Sequence, residues 1–262
     1  MAAMSRRGFL GMGAAMAGGL ALGVKTASAA AAAKARGKRV VVVWSEGTAP
    51  KNLYPKDING AIAEGLTADL RGWEVVTANL SDPDQGLPDA LLARADVLIW
   101  WGHQKHGDVK NDLVEKVVTR VKEGGMGFLS LHSSHFAKPN KALMGTPCSW
   151  GAYVGDSVTL KVTVKDAKHP IAKGVAKDFT IAHHERYSDP YAVPKPEALV
   201  FEGVATLKDG KTDASQQGFC WTIGKGRMFY FQAGHETDPV FFDKNVRLIM
   251  SNAVKWAAPT GR

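Results

Sequence analysis

Four consecutive valines and a tryptophan follow Arg39, in "RVVVVWS", and this run constrains the fold more than any other stretch. Branched apolar residues with no polar alternation fit a strand covered on both faces, as in a parallel sheet between two helical layers. The next segments keep that pattern. "DINGAIAEGLTADLRG" spaces Ile58, Ile62, Leu66 and Leu70 along one helical face and stops at Gly72. "WEVVTANL" predicts a second strand, "LPDALLARA" a short helix and "DVLIWWG" a third strand. "VKNDLVEKVVTRVKEGG" lines up Val109, Leu113, Val117 and Val121 before paired glycines, and "MGFLSL" predicts a fourth strand. Alternation of this kind predicts an α/β fold with a doubly wound, mainly parallel sheet and right-handed crossovers.

The pattern changes after Lys138. "SVTLKVTV", "HPI", "KDFTI", "EALVFEGVATL", "GFCWTI" and "RMFYFQ" read as additional mixed or antiparallel strands in the C-terminal half. "PVFFDKNVRLIMSNAVKWAA" closes the chain as a helix with Val246, Ile249, Met250, Ala253 and Val254 inward.

The N-terminus reads as an address. "SRRGFLG" resembles the twin-arginine export signature, and a glycine-rich apolar stretch leads to "ASA" at Ala27–Ala29, a small-residue cleavage site. The stretch is too short for a membrane span of ~20 residues. The expected organisation is a signal peptide over 1–29, a linker over 30–38 and one domain over 39–259, located in the periplasm. Losing Arg6, Arg7 and Lys25 with no acid lowers the formal charge of +8 by three. The remaining lysines alternate with acids, so neither a nucleic-acid stripe nor a membrane span is expected. Cys148 and Cys220 could bridge in an oxidising compartment, although Cys220 in "GFCWTI" fits a buried thiol.

The eight histidines fall in a pattern. His103 and His106 follow the third predicted strand, His132 and His135 the fourth, and His235 the late strand "RMFYFQ". His183 and His184 follow "KDFTI", and only His169 lies elsewhere. Ligands bind parallel α/β sheets outside the carboxyl ends of the strands. Five of the imidazoles are therefore expected to share one edge, with Glu185 and Glu236 able to join them. A single histidine in a loop is an ordinary polar residue, but recurrence at several strand ends argues for a site. Imidazoles can ligate a metal or serve as acid, base and hydrogen-bond donor, so metal binding stays open at this point. His132 occupies the strand-to-helix elbow that carries a nucleophile in related folds. No cysteine or G-x-S-x-G motif stands there, which excludes a thiol nucleophile unless Cys148 swings in and leaves Ser133 as the serine-hydrolase alternative.

"DVLIWWGHQKHGDV", "GFLSLHSSHFAKPNKALMGT", "HPIAKG", "HERYSDPYAVPKPEALVFEG" and "GKGRMFYFQAGHETDP" together resemble the trehalose-utilisation (ThuA-like) proteins, from about Arg39 to Pro259. The resemblance implies a flavodoxin-like fold related to class I glutamine amidotransferases, without their catalytic cysteine. It also implies sugar catabolism beside oxidoreductases that turn a glycoside C3 hydroxyl into a ketone. Family motifs carry over onto His103, His106, His132, His135, Glu185, Tyr187, His235 and Glu236. The chain departs from the pattern in its export signal and in "AHHERY", where His183 and His184 precede the matched acid.

The leading expectation is an isomerase or cleaving enzyme acting on 3-keto-glycosides through an enediolate. His103, His132, His235 and Glu185 are the expected ligands of a divalent metal such as zinc, with Glu185 alternatively the base; no nucleotide is expected. His106 and His135 are expected to orient the ligands or return the proton. Trp44, Trp101, Tyr187 and Glu236 are expected to bind the sugar. The rival readings are a non-catalytic sugar-binding partner of an exported sugar oxidoreductase and a metal-dependent hydrolase. A homo-oligomer is compatible with all three.

Overall fold

The computed structural model describes residues 37–154 and 159–261. The twin-arginine-like segment and its cleavage site lie outside the described residues. Nine strands form one sheet: β1 (Arg39–Ser45), β2 (Trp73–Asn79), β3 (Val97–Trp101), β4 (Gly127–Leu131), β6 (Thr159–Val164), β7 (Asp178–Ile181), β9 (Ala198–Thr206), β10 (Thr212–Ile223) and β11 (Gly226–Phe231). Their order is β2-β1-β3-β4-β11-β10-β9-β6-β7. β2, β1, β3, β4 and β11 run parallel, and the strands beyond β11 pair antiparallel. β5 (Trp150–Val154) and β8 (Arg186–Tyr191) pair separately as a two-stranded antiparallel sheet.

The valine run explains the layering. Val41 and Val43 join the apolar layer containing Ile58, Ile62 and Leu66 of α1 (Asp57–Asp69) and Val246, Ile249 and Val254 of α5 (Lys244–Ala257). Val40 and Val42 face the opposite layer, with Leu92 of α2 (Asp89–Arg94), Val117 and Val121 of α3 (Asn111–Lys122) and Leu143 of α4 (Lys138–Met144). Successive strand residues point to opposite faces, so only a sheet covered on both sides buries all four. Burying each is worth ~1.5–3 kcal/mol, so the run alone contributes on the order of the net stability of a domain. α5 starts at Asp243, whose side chain accepts the backbone N–H groups of Asn245 and Val246 at 2.7 and 3.1 Å.

Two expectations change. "HPI" is not a strand: Pro170–Ala172 makes a 3₁₀ turn, with His169 Nδ1 accepting from the Ile171 N–H, because Pro170 has no ladder donor. β5, β8 and α4 were not foreseen, since none carries a clean period. Cys148 and Cys220 are buried and unbridged. Among the described residues no helix is long and apolar enough to cross a membrane.

Candidate metal centre

The parallel strands β1, β3, β4 and β11 deliver Glu46, His103, His132 and His235 to the same edge of the sheet, each one to four residues past a strand end. The tightest of these turns follows β4. Leu131 is extended, then His132 turns to φ 51°, a left-handed conformation that few non-glycine residues adopt. Gly234, at φ 145°, passes beside that turn; a Cβ there would meet the Phe241 ring at 2.7 Å and His132 Cβ at 3.3 Å. Trp101 Nε1 donates to the Gly234 carbonyl at 2.9 Å and ties the loop after β3 to the loop after β11.

The result is a cluster in which His103, His132, Glu185 and His235 each offer one ligand atom, all within 4.8 Å of one another. A tetrahedral ion with bonds of ~2.0–2.1 Å separates its donors by about 3.3 Å, so modest side-chain rotation closes the set. Surrounding hydrogen bonds select the free nitrogens. His132 Nδ1 donates to the Gln232 carbonyl at 2.9 Å, leaving Nε2 in the buried cluster with no well-directed hydrogen bond, 3.3 Å from Glu185 Oε1. His103 Nδ1 lies 2.7 Å from both Glu236 oxygens, and Gln104 Nε2 donates to Oε1 at 2.8 Å. Carboxylate–imidazole and carbonyl–imidazole pairs of this kind fix the tautomer of metal-binding histidines. Glu185 accepts from Tyr187 at 2.9 Å, from Tyr153 at 3.0 Å and from His235 Nε2 at 2.9 Å. The Tyr187 hydroxyl also meets Ser133 Oγ at 2.5 Å.

Electrostatics separate these groups. Burial pushes Glu185 up, but the neighbouring His132 and His235 rings together outweigh it and hold the carboxyl well below its ordinary range. Burial dominates at His132 and pushes it down, so that ring stays neutral. Burial also pushes His235 down, but its hydrogen bond to Glu185 together with the negative charges of Glu185, Glu236 and Asp238 outweighs this and leaves it raised. A divalent ion bound at the cluster would compete with a proton for the His235 ring. Burial raises Glu236 as well, and His103 brings it back down to about 2.

The other expected site residues are distributed unevenly. Tyr187 lines a cleft of about 330 Å3 that opens beside the cluster, with His103, Ser133, His135, Trp150, Tyr153 and Glu185 among its walls. Glu236 is buried and holds the His103 ring, and it is absent from the walls of the cleft. Trp44 and Trp101 do not face the cleft. Trp44 is wholly buried and stacks on Trp100 at 3.9 Å, and Trp101 is wholly buried in the opposite layer. Strand-end tryptophans of a doubly covered sheet become core. His106 does not line the cleft either; it sits behind its loop, 3.5 Å from Glu46 Oε1. His135 borders the cleft as a buried, neutral ring. Its ring is fully buried, Nδ1 donates to the His132 carbonyl at 3.0 Å, and burial pushes it down to about 3. His183 belongs to a different hollow, with Pro239 and Phe242, and His184 is fully buried. Cys148 is buried against Asn140 and Thr146, and burial raises its thiol, so it is no nucleophile.

Glu46 was missed. Its Oε2 accepts three successive backbone N–H groups, from His103, Gln104 and Lys105, at 2.9, 2.7 and 2.9 Å. The carboxylate thus pins the loop that carries a ligand. Gly102 leaves room for it, since a Cβ there would stand 2.7 Å from Glu46 Oε1. Ser-Glu after a strand offers no periodic signal. Glu46→Ala is expected to lower divalent-ion affinity ~10–100-fold, as loss of an outer partner does, with Glu46→Gln keeping most of it. Equal ion titrations for Glu46→Ala and wild type would refute this.

His184 and His135 also set an acid limit. Burial pushes both down to about 3, below the unfolded value of about 6.5. The unfolded chain therefore binds the proton first, and stability falls as pH drops from 6.5 towards 3, by about 1.4 kcal/mol per pH unit for each ring. Between pH 6.5 and 5, His184→Leu is expected to lose about 2 kcal/mol less than wild type in urea unfolding.

Fold and site together define a class: a doubly wound α/β protein with a histidine–glutamate cluster at the carboxyl edge of its parallel strands. The chain belongs to the ThuA family, described as trehalose utilisation, which matches residues 39–257. This membership gives it a role in sugar metabolism. A ThuA-like protein from Parabacteroides merdae superposes with a TM-score of 0.58 at 11% identity, covering 86% of this chain and 92% of that one. Another from Bacteroides uniformis also gives 0.58, at 16% identity and 85% and 92% coverage. PurLQS from Thermotoga maritima gives 0.50 at 12% identity, with 84% and 99% coverage. No curated protein sequence matches the chain.

Proposed function

We propose that this protein is a metal-assisted enzyme acting on 3-keto-glycosides. The observation that carries the reading is the convergence of His103, His132, Glu185 and His235 at one point beside an open cleft. The donor set fits a divalent ion of the zinc type, since neutral imidazoles and a carboxylate suit it and catalytic sites use three protein ligands. His103, His132 and His235 would hold the ion, and Glu185 would stand beside it as the base. A bound ion would supply Lewis-acid polarisation of the ketone.

The ketone at C3 acidifies the proton at C2. Glu185, held as carboxylate, takes that proton, and the electron pair moves into the C2–C3 bond as charge builds on the ketone oxygen. Expulsion of the C1 substituent breaks the C1–O bond and leaves a C1–C2 double bond; reprotonation instead gives an isomer. Tyr187, whose pKa burial raises, stays protonated and bridges Glu185 and Ser133, a route by which a proton reaches the departing oxygen. On the N-terminal signature alone, we place the enzyme in the periplasm, where an exported sugar oxidoreductase would supply its substrate.

The test is elemental analysis of the purified protein together with turnover of a 3-keto-glucoside. About one divalent ion per chain and product formation lost on chelation are expected. Turnover of acetylated sugars but not ketosugars would move the assignment to hydrolysis, and neither activity would leave a binding protein.

A further inference from the structure

Among the described residues, four large hydrophobic side chains are exposed: Phe136, Tyr153, Val204 and Phe242. Two of the four, Phe136 at 42% and Tyr153 at 62% exposure, border the same cleft. Scattered single exposures are ordinary, but two aromatic faces on one cleft mark a surface kept for a ligand.

Neither ring is loose. Tyr153 projects from β5 with its hydroxyl on Glu185, and its ring lies 5.9 Å from that of Tyr187. Phe136 follows the elbow, packed 4.0 Å from the His135 ring, with Lys141 Nζ 5.0 Å from its centroid. His135 and Tyr187, 4.6 Å apart, continue the wall between them, and Trp150 stacks on Tyr187 at 6.0 Å. The ligand cluster opens on this wall through His103 and Glu185. A hexose ring presents C–H groups on its faces and hydroxyls at its edge, which suits aromatic faces beside polar groups. A cleft of about 330 Å3 is at the small end of ligand sites and suits one or two such rings.

We infer that Phe136 and Tyr153 form a second-ring subsite, which takes the C1 substituent of the glycoside while the reacting ring occupies the histidine–glutamate cluster. The preferred substrate is then a glycoside whose leaving group is itself a sugar or aromatic ring, not a methyl glycoside or free ketosugar. This rests on the proposed reaction for which ring is cleaved, but not for the subsite itself.

The experiment compares a 3-keto-disaccharide with methyl 3-keto-glucoside in ion-loaded wild type, Phe136→Ala, Tyr153→Ala and Tyr153→Phe. Phe136→Ala and Tyr153→Ala are expected to raise the ratio of the two KM values about tenfold, while Tyr153→Phe, which keeps the ring, shifts it less than threefold. Equal effects on both substrates, or none, would overturn the subsite. If wild type turns over neither substrate, the proposed reaction has failed, and calorimetry with unoxidised disaccharide decides the subsite separately. Binding by wild type that weakens in Phe136→Ala supports it; no wild-type binding at millimolar concentration overturns it.

Discussion

If the proposed function holds, His132→Asn is expected to fold like the wild type, to bind no divalent ion and to fall about 10³-fold in kcat/KM on a 3-keto-glycoside. Asparagine is chosen because it tolerates the left-handed backbone that His132 adopts, so the elbow survives the substitution. What disappears is the buried Nε2 beside Glu185 and the Nδ1 bond to Gln232 that aims it. Two imidazoles cannot hold the ion against competition from solvent, and the ketone loses its electrophilic partner. Circular dichroism checks the fold, and elemental analysis and initial rates check the rest. A variant that retains stoichiometric ion and full turnover would remove His132 from the centre.

Glu185→Gln separates chemistry from ion binding. Three imidazoles remain, so ion content is expected to stay near wild type, while turnover falls ~10²–10⁴-fold through loss of the base. In D2O, wild type is expected to exchange the C2 proton of a 3-keto-glycoside, visible as loss of its proton resonance, and the variant is not. The substitution also has a structural cost. The carboxylate accepts from Tyr187, Tyr153 and His235, and an amide can turn its oxygen to only one side. A donor facing a donor costs about 1–3 kcal/mol, so a lower unfolding midpoint accompanies the rate loss. Unchanged C2 exchange in a folded, ion-loaded variant would transfer the base role elsewhere.

Which residues gather at the sheet edge was legible from strand ends. Val40–Val43, "DVLIWW", "GFLSL" and "RMFYF" are runs whose burial leaves few alternatives, and in parallel strands whatever follows them arrives at one side. His103, His132 and His235 could therefore be placed together without coordinates. Glu185 was read from the residues only as able to join them, and its role came from family resemblance, because it enters on the segment before β8, whose period is too irregular to read. The same limit hid Tyr153 on β5.

The sequence alone determined the parallel strands, the longer covering helices and the edge at which the histidines meet, because apolar periodicity encodes which face of an element is buried. Tertiary structure alone decided that His132 turns left-handed, that Glu46 cradles the His103 loop and that Trp44 and Trp101 are core. It also decided that His106 and His135 stand aside. Those outcomes depend on side-chain direction and on hydrogen bonds between residues far apart in the chain. A one-dimensional pattern carries neither.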